Sequence, residues 1–358
     1  MGDAVCAFEM GTTATTHANE TKSGFIALLD RCLLIFVRHF VRFDVFGTVW
    51  YKARQVKITL AINLLALAAT TLPQPKSGSA GEDLLWKKLD ARVGDAVEKF
   101  DGVMGLAIVD LTDGRAILKD ADHVFPTASS IKIAILLELY RQEQNGKAKL
   151  NDAYTFDAKD LVEDSQIMVG LTPDVTKVTN RDLAQFMVAV SDNAAANVLI
   201  DRVGMQNVNA TLKSLGLTKT MLRRKMMDVD AARRGDENVS TPQEMARLLE
   251  TIFKGKALNK ELTDALIKQL STGKDSYMPR ELPPGLQIAN KPGSLDGIRT
   301  DSGIIFAKNR PFAISVMTSS VRDERAAERA IAEIALEAFR YFEMRGKVTE
   351  YGRILEAQ

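Results

Sequence analysis

The chain has 358 residues, 46% hydrophobic and 26% charged, enough to bury a sizeable core in one large domain or two smaller ones. A formal net charge of +1, with no long block of one sign, excludes the field that draws a protein to nucleic acid or to an acidic membrane. Both cysteines, Cys6 and Cys32, fall in the first tenth of the chain, and His123 is the one histidine of three in the expected folded region; cysteine catalysis, a Cys-built zinc site and a His-rich metal centre are excluded there, and a Ser-His-Asp triad is disfavoured.

Residues 25–46, FIALLDRCLLIFVRHFVRFDVF, are apolar but carry Asp30, Arg31, Arg38, Arg42 and Asp44, each costly inside hydrocarbon, so an interfacial helix or a non-native leader is expected rather than a membrane span. Residues 57–80 have a basic start, an apolar run from Ile58 to Ala69 and then small and Pro/Ser/Gly residues, the layout of a secretory signal and too short to span a bilayer. Such a signal belongs at an extreme N-terminus, which points to translation beginning near Val56 from an alternative start codon. The expected organisation is a leader over 1–55, a signal-like segment and linker over 56–80, one folded domain over 81–346 and a tail over 347–358. Export to the periplasm or the medium follows from it.

The folded region opens with EDLLWKKLDARVGDAVEKF, an amphipathic helix from Glu82 to Phe100. GLAIVDLTDGRAILKD then reads as a strand pair around the turn pair Asp113-Gly114. The next stretch is mostly helical: a helix from Ser129; Arg181–Val190 behind the capping candidates Thr179 and Asn180; Ala194–Val203; Val208–Leu215; and Pro242–Phe253 behind Ser240 and Thr241. Strands return at Leu286–Lys291, Arg299–Phe306 and Phe312–Thr318, followed by a long helix over Arg322–Phe342. The order predicts an α+β domain: an antiparallel sheet formed by both chain ends, flanked by helices, with a helical lobe inserted.

The stretch FPTASSIKIAILLELY, Phe125 to Tyr140, sets two serines and a lysine at the head of a core-facing helix, with Pro126 and Ser129 or Ser130 marking its start. Ser129 and Lys132 are three apart, hence on one face and one turn from each other. A serine hydroxyl is a weak nucleophile until a neighbour takes its proton, and a lysine can do so once burial or another cation disfavours its ammonium. Two further clusters follow, Ser191-Asp192-Asn193 and Lys291-Pro292-Gly293-Ser294. Alone, the first could simply cap a helix and the second make a turn. A second S-x-x-K, Ser271 to Lys274, has no neighbours that suggest catalysis.

Together, in this order and spacing, the three clusters resemble the S-x-x-K, S-D-N and K-T-G elements of class A β-lactamases and penicillin-binding proteins. Similarity runs from about Glu82 to Gly346. The resemblance implies the β-lactamase/transpeptidase fold, no cofactor or metal, a monomer, and a small-molecule substrate, a β-lactam or a peptidoglycan-like amide. It also implies roles: Ser129 as nucleophile at a helix N-terminus, Lys132 as its base with Lys291 lowering its proton affinity, Ser191 as proton relay, Asn193 orienting Lys132 and the substrate amide, and Lys291, Gly293 and Ser294 lining the edge strand that holds the substrate carboxylate. Arg299 is either a second cation for that carboxylate or an exposed strand arginine.

The chain departs from the class A pattern in two places. The glutamate that would activate the deacylating water falls on Lys225 or Met226, with Asp228 and Asp230 the nearest acids, and Pro292 replaces the K-T-G threonine. Three functions stay open: a β-lactam hydrolase, a D,D-peptidase or esterase using the same residues, and a penicillin-binding or sensor domain acylated once.

Overall fold

The computed structural model describes residues 80–349 and 351–354. The leader over 1–55, the signal-like segment up to residue 79 and the last four residues of the tail lie outside the described residues. Among the described residues no helix is long and apolar enough to cross a membrane.

The run VMGLAIVD is apolar at alternate and intervening positions alike, so as a strand it needs cover on both faces. It forms β1 (Val103–Asp110), buried along nearly its whole length. The turn at Asp113-Gly114 returns the chain as β2 (Ala116–Lys119), with Gly114 at φ 81 where a side chain would be strained. Three late strands, β3 (Ile288–Leu295), β4 (Ile298–Ile305) and β5 (Phe312–Ser319), complete one antiparallel sheet in the order β2-β1-β5-β4-β3. The two ends of the domain meet where β1 pairs β5, from Val103 opposite Ser319 to Asp110 opposite Phe312.

Helices α1 (Ala80–Glu98) and, at the far end, Glu324–Arg345 cover one face of this sheet. Leu89 and Val93 pack there with Ile331, Phe342, Ile108 and Ile314, and the Phe312 and Phe342 rings stack 4.2 Å apart. The inserted lobe covers the other face. Its central helix, α2 (Lys132–Gln144), buries Lys132 through Tyr140 almost without break, and Ile133, Leu137, Leu199 and Leu249 close on Ala289, Ile304 and Ala313 of the sheet. Around α2 stand α3 (Asn180–Ala189), α4 (Asn193–Val203), α5 (Met205–Ser214), α6 (Pro242–Phe253) and α7 (Lys260–Leu270), before α8 (Glu324–Arg345). The domain is α+β as the sequence predicts.

Local chemistry sets the starts of these helices. Thr179 caps α3 in a reciprocal box with Asp182, and Thr241 caps α6, whose first residue is Pro242. Three expectations need correction. Ser129 does not open an α-helix: Ala128–Ile131 is a tight 3₁₀ turn and α2 begins at Lys132. The strand expected to end at Lys291 runs on to Leu295, because β3 is an edge strand where the missing N–H of Pro292 is tolerated. The sequence reading assigned no helix to α7, which Asn259 caps by accepting from Leu262 N.

Candidate active site

The 3₁₀ turn that carries Ser129 is pinned on both sides, and the pins explain why two serines stand together. Ser130 is fully buried; its Oγ donates to Lys291 O (3.1 Å) and shares a hydrogen bond with Thr300 Oγ1 (2.7 Å). Thr127 N donates to Asn238 O at 2.9 Å. Ser129, between them, is half-buried and faces a cleft of about 800 Å³. Strand β3 comes so close that a Cβ on Gly293 would lie 2.7 Å from Ser129 N and 2.8 Å from Thr127 O, so only glycine fits.

Lys132 is 1% exposed, and its Nζ donates to Ser191 O (2.6 Å), Asn193 Oδ1 (2.7 Å) and Ser191 Oγ (3.1 Å). Ser191 Oγ in turn donates to Ser129 Oγ at 2.9 Å. Lys132 therefore reaches Ser129 through Ser191, one hydroxyl further along than the direct contact the helix spacing suggests. Burial holds the Lys132 amine well below the ordinary lysine value and the charge of Lys291 pushes the same way, against smaller opposing fields from Asp192 and Asp164.

The S-D-N cluster caps a helix and joins the hydrogen-bond chain to Ser129 at once. Asp192 caps α4 by accepting from Ala195 N, and its other oxygen accepts from Ile167 N and Met168 N. That anchorage leaves Ser191 at φ 60, in the left-handed region, with its side chain in the hydrogen-bond chain to Ser129. Asn193 Nδ2 donates to Glu163 O at 3.3 Å, fixing the amide so that its oxygen faces Lys132.

A smaller lobe of about 300 Å³ opens on the other side of Ser129, lined by Lys274, Tyr277, Lys291 and Ser294 among others. Lys291 is 2% exposed and its amine is lowered to about 7, first by burial and then by Lys274, with Asp301 opposing. Asp301, buried behind it, accepts from Tyr277 N (3.1 Å), Met278 N (3.0 Å) and Asn290 Nδ2 (2.8 Å). Lys274 is lowered by burial to about 8 and donates to Leu270 O. Sequence reasoning passed over it as the lysine of a solitary S-x-x-K. Only the turn after α7, which brings it beside the third cluster, shows where it points.

Arg299 lines the cleft, yet its guanidinium is committed. Nε donates to Glu328 (3.0 Å), Nη2 pairs with Glu324, and Nη1 donates to Leu295 O and Ile298 O. It is a structural clamp between the β3–β4 hairpin and α8, and the second cation of the lysine lobe is Lys274.

The loop from Leu222 to Asn238 forms the far wall. Its neck is closed by Arg224 and Glu237, paired at 2.7 Å, and by Asn238 Oδ1, which accepts from Arg223 N and Arg224 N. Lys225 turns away to Asp201 (2.7 Å), while Met226 is buried, lines the cleft and is held by Asn197 through both its backbone groups. Asp228 caps the short helix Val229–Arg233 and Asp230 is exposed beside Arg233; neither lines the cleft, so neither stands ready as a substitute base.

The chain was compared with known proteins. A model of the β-lactamase enzyme family matches residues 85–342. The chain is 28% identical over 287 residues to β-lactamase SME-1 of Serratia marcescens, covering 76% of this chain and 94% of that protein. It is 31% identical over 250 residues to a β-lactamase of Amycolatopsis lactamdurans, covering 66% and 78%. Among solved structures, a β-lactamase from Sphaerobacter thermophilus superposes with TM-score 0.66 at 29% identity, over 71% of this chain and 96% of the other. The structure of PBP-A shares the fold, with TM-score 0.66 at 23% identity over 72% and 96%.

Proposed function

The chain belongs to the β-lactamase enzyme family, as a class A β-lactamase-like serine hydrolase, and from that premise we propose that Ser129 opens β-lactam or related amide bonds through an acyl-enzyme. The observation that carries the proposal is the hydrogen-bond chain from buried Lys132 through Ser191 to Ser129.

The direction of that chain depends on the charge of Lys132. An ammonium has three N–H groups, and the three acceptors Ser191 O, Ser191 Oγ and Asn193 Oδ1 occupy all of them, with Ser191 then donating to Ser129. A neutral amine has two N–H groups and a lone pair. It keeps the two shorter bonds and accepts from Ser191 Oγ, which frees Ser191 to accept from Ser129. In that state the Ser129 proton can pass through Ser191 to Lys132 as Ser129 Oγ bonds to the substrate carbonyl carbon. When the carbonyl carbon–nitrogen bond breaks, the proton returns from Lys132 through Ser191 to the leaving nitrogen. Lys291, Lys274 and Ser294 hold the substrate carboxylate, and the free edge of β3 lines the site in which the acyl chain docks.

Release of the acyl group needs water and a base. Met226 faces the cleft at the loop position where the resemblance places that base, and this favours a second reading in which the acyl-enzyme persists and the protein binds β-lactams with slow turnover. Mixing the folded protein with a chromogenic cephalosporin and measuring its intact mass tests both. Steady colour release supports hydrolysis, a stoichiometric adduct supports slow release, and neither colour nor adduct refutes acylation at Ser129. Loss of either signal in Ser129→Ala ties it to the nucleophile. We further propose that the domain acts outside the cytoplasm, exported by the segment over 57–80.

A further inference from the structure

The two lobes of the cleft meet at Ser129 and carry uncompensated charge of opposite sign. The smaller lobe is lined by Lys274 and Lys291, which feel the one buried carboxylate of Asp301 behind them, while its lining carboxylate Asp275 is exposed and paired with Arg280 at 3.5 Å. In the larger lobe both arginines are already neutralised, Arg224 by Glu237 and Arg299 by Glu324 and Glu328. Asp164 and Asp296 remain there, lining carboxylates for which no hydrogen bond or ion pair forms among the described residues.

Asp164 is the better placed of the two. The residues on either side of it are fastened to the start of α4: Glu163 O accepts from Asn193 Nδ2 (3.3 Å), and Ser165 Oγ accepts from Ala194 N (3.0 Å). The backbone at Asp164 is thereby fixed near Asn193, and the field of its exposed carboxylate acts on Lys132. An acyl donor whose carboxylate enters the lysine lobe, with its leaving nitrogen at Ser191, must direct its acyl substituent into the other lobe, past Asn193 and Asp164.

Building on acylation at Ser129 as proposed above, we infer that the cleft selects zwitterionic acyl donors, with a carboxylate on the leaving-group side facing Lys274 and Lys291 and an ammonium on the acyl side chain facing Asp164. Asp164 is then a specificity-determining residue. Its backbone is left-handed, at φ 55, which aspartate and asparagine tolerate better than other L-residues, so a purely conformational role would be filled equally well by asparagine.

That equivalence makes Asp164→Asn the decisive variant. Three penicillins with the same phenyl side chain differ only in its α-substituent: ampicillin carries an ammonium, benzylpenicillin a hydrogen and carbenicillin a carboxylate. Second-order acylation rates are measured by intact mass at about pH 6, below the usual α-amino range. The native protein should take ampicillin about threefold faster than benzylpenicillin, and carbenicillin slower by a similar factor, as one solvent-facing charge pair gives, with the spread narrowing in high salt. Asp164→Asn should bring the three rates together, read as ratios to benzylpenicillin within each protein because loss of the Asp164 field on Lys132 acts on all three alike. Equal rates in the native protein, an unaltered ranking in the variant, or an equal slowing of all three by the substitution would each overturn the inference while leaving acylation at Ser129 standing. No adduct with any of the three in the native protein would refute the acylation itself, and the inference with it.

Discussion

Replacing Lys291 by Met should remove part of the rise in stability between pH 7 and pH 9, leaving in both proteins the part that the depressed amines of Lys274 and Lys132 contribute. Burial lowers the Lys291 amine from the ordinary 10.5 to about 7, so between those values the unfolded chain binds a proton that the native protein does not. Stability attributable to this group is fully present above 10.5 and is lost as the pH falls through that window toward 7. With these two limits, the native protein should gain about 2 kcal/mol from Lys291 between pH 7 and pH 9. Asp301 pushes the difference the same way. Its carboxyl is raised by burial and loses the opposing field of Lys291 in the variant, so any part of its titration that enters the window makes the variant lose stability with rising pH. The tyrosines whose hydroxyls burial raises to about 12 ionise above it. Urea unfolding at the two pH values, with matching m-values in both proteins, reads the effect directly. A Lys291→Met variant that gains as much stability as the native protein from pH 7 to pH 9 would show that Lys291 is not held as a desolvated amine.

Lys132→Met should slow acylation by about 10²- to 10⁴-fold, the usual worth of a positioned base, with unfolding stability close to native because removal of a buried amine offsets the donor lost by Ser191 O and Asn193 Oδ1; a large loss of stability with native acylation rates would reverse this reading. Gly293→Ala should cost about 1–3 kcal/mol and slow acylation together, since its Cβ would sit 2.7 Å from both Ser129 N and Thr300 Oγ1. Native behaviour in both assays would mean that β3 can retreat without cost. Met226→Glu should shorten the lifetime of the acyl-enzyme with little change in its formation, and an unchanged lifetime in the folded variant would remove the loop from the account of slow release. N-terminal sequencing of exported protein should find a start downstream of Ala69; a start upstream of Val56 would sink the proposed signal.

The sheet and the lobe were legible because their information is local and periodic. β1 and α6 announce themselves by apolar spacing and by Thr241-Pro242, and the three motifs keep their order whatever loops lie between. What sequence could not supply was the partner of each charge. Arg299 looked available because Glu324 and Glu328 lie on α8, across a connection that no pattern in the strand foretells. Lys274 looked idle because its turn meets the third motif only in three dimensions. Ser130 and Ser129 were interchangeable on paper; the hydrogen bonds of Ser130 to Lys291 O and Thr300 separate the pin from the nucleophile.

Backbone strain was equally silent, and its distribution bears on function. Of the non-glycine residues with left-handed φ, four bound the cleft: Ala128 at 47, next to the nucleophile; Asp164 at 55; Ser191 at 60; and Met227 at 64, next to Met226. Such conformations cost of order 1–3 kcal/mol where the side chain does not favour them, and persist only where the surroundings over-determine them. Here the surroundings can be named. Thr127 and Ser130 bracket Ala128, the ring of bonds to Asp192 holds the bend at Ser191, and Asn197 grips Met226 through both backbone groups. Three of the four bends sit at or beside a residue whose side chain must point against the run of its own chain: Ser129 out of a turn otherwise buried, Ser191 back toward α2, and Met226 into the cleft. The fold therefore spends rigidity in the lobe and sheet to hold the reacting groups in one arrangement before any substrate arrives. It follows that loosening a pin, as Thr300→Val would by removing the hydroxyl that joins Ser130 to Thr127 O, should slow acylation more than it lowers stability.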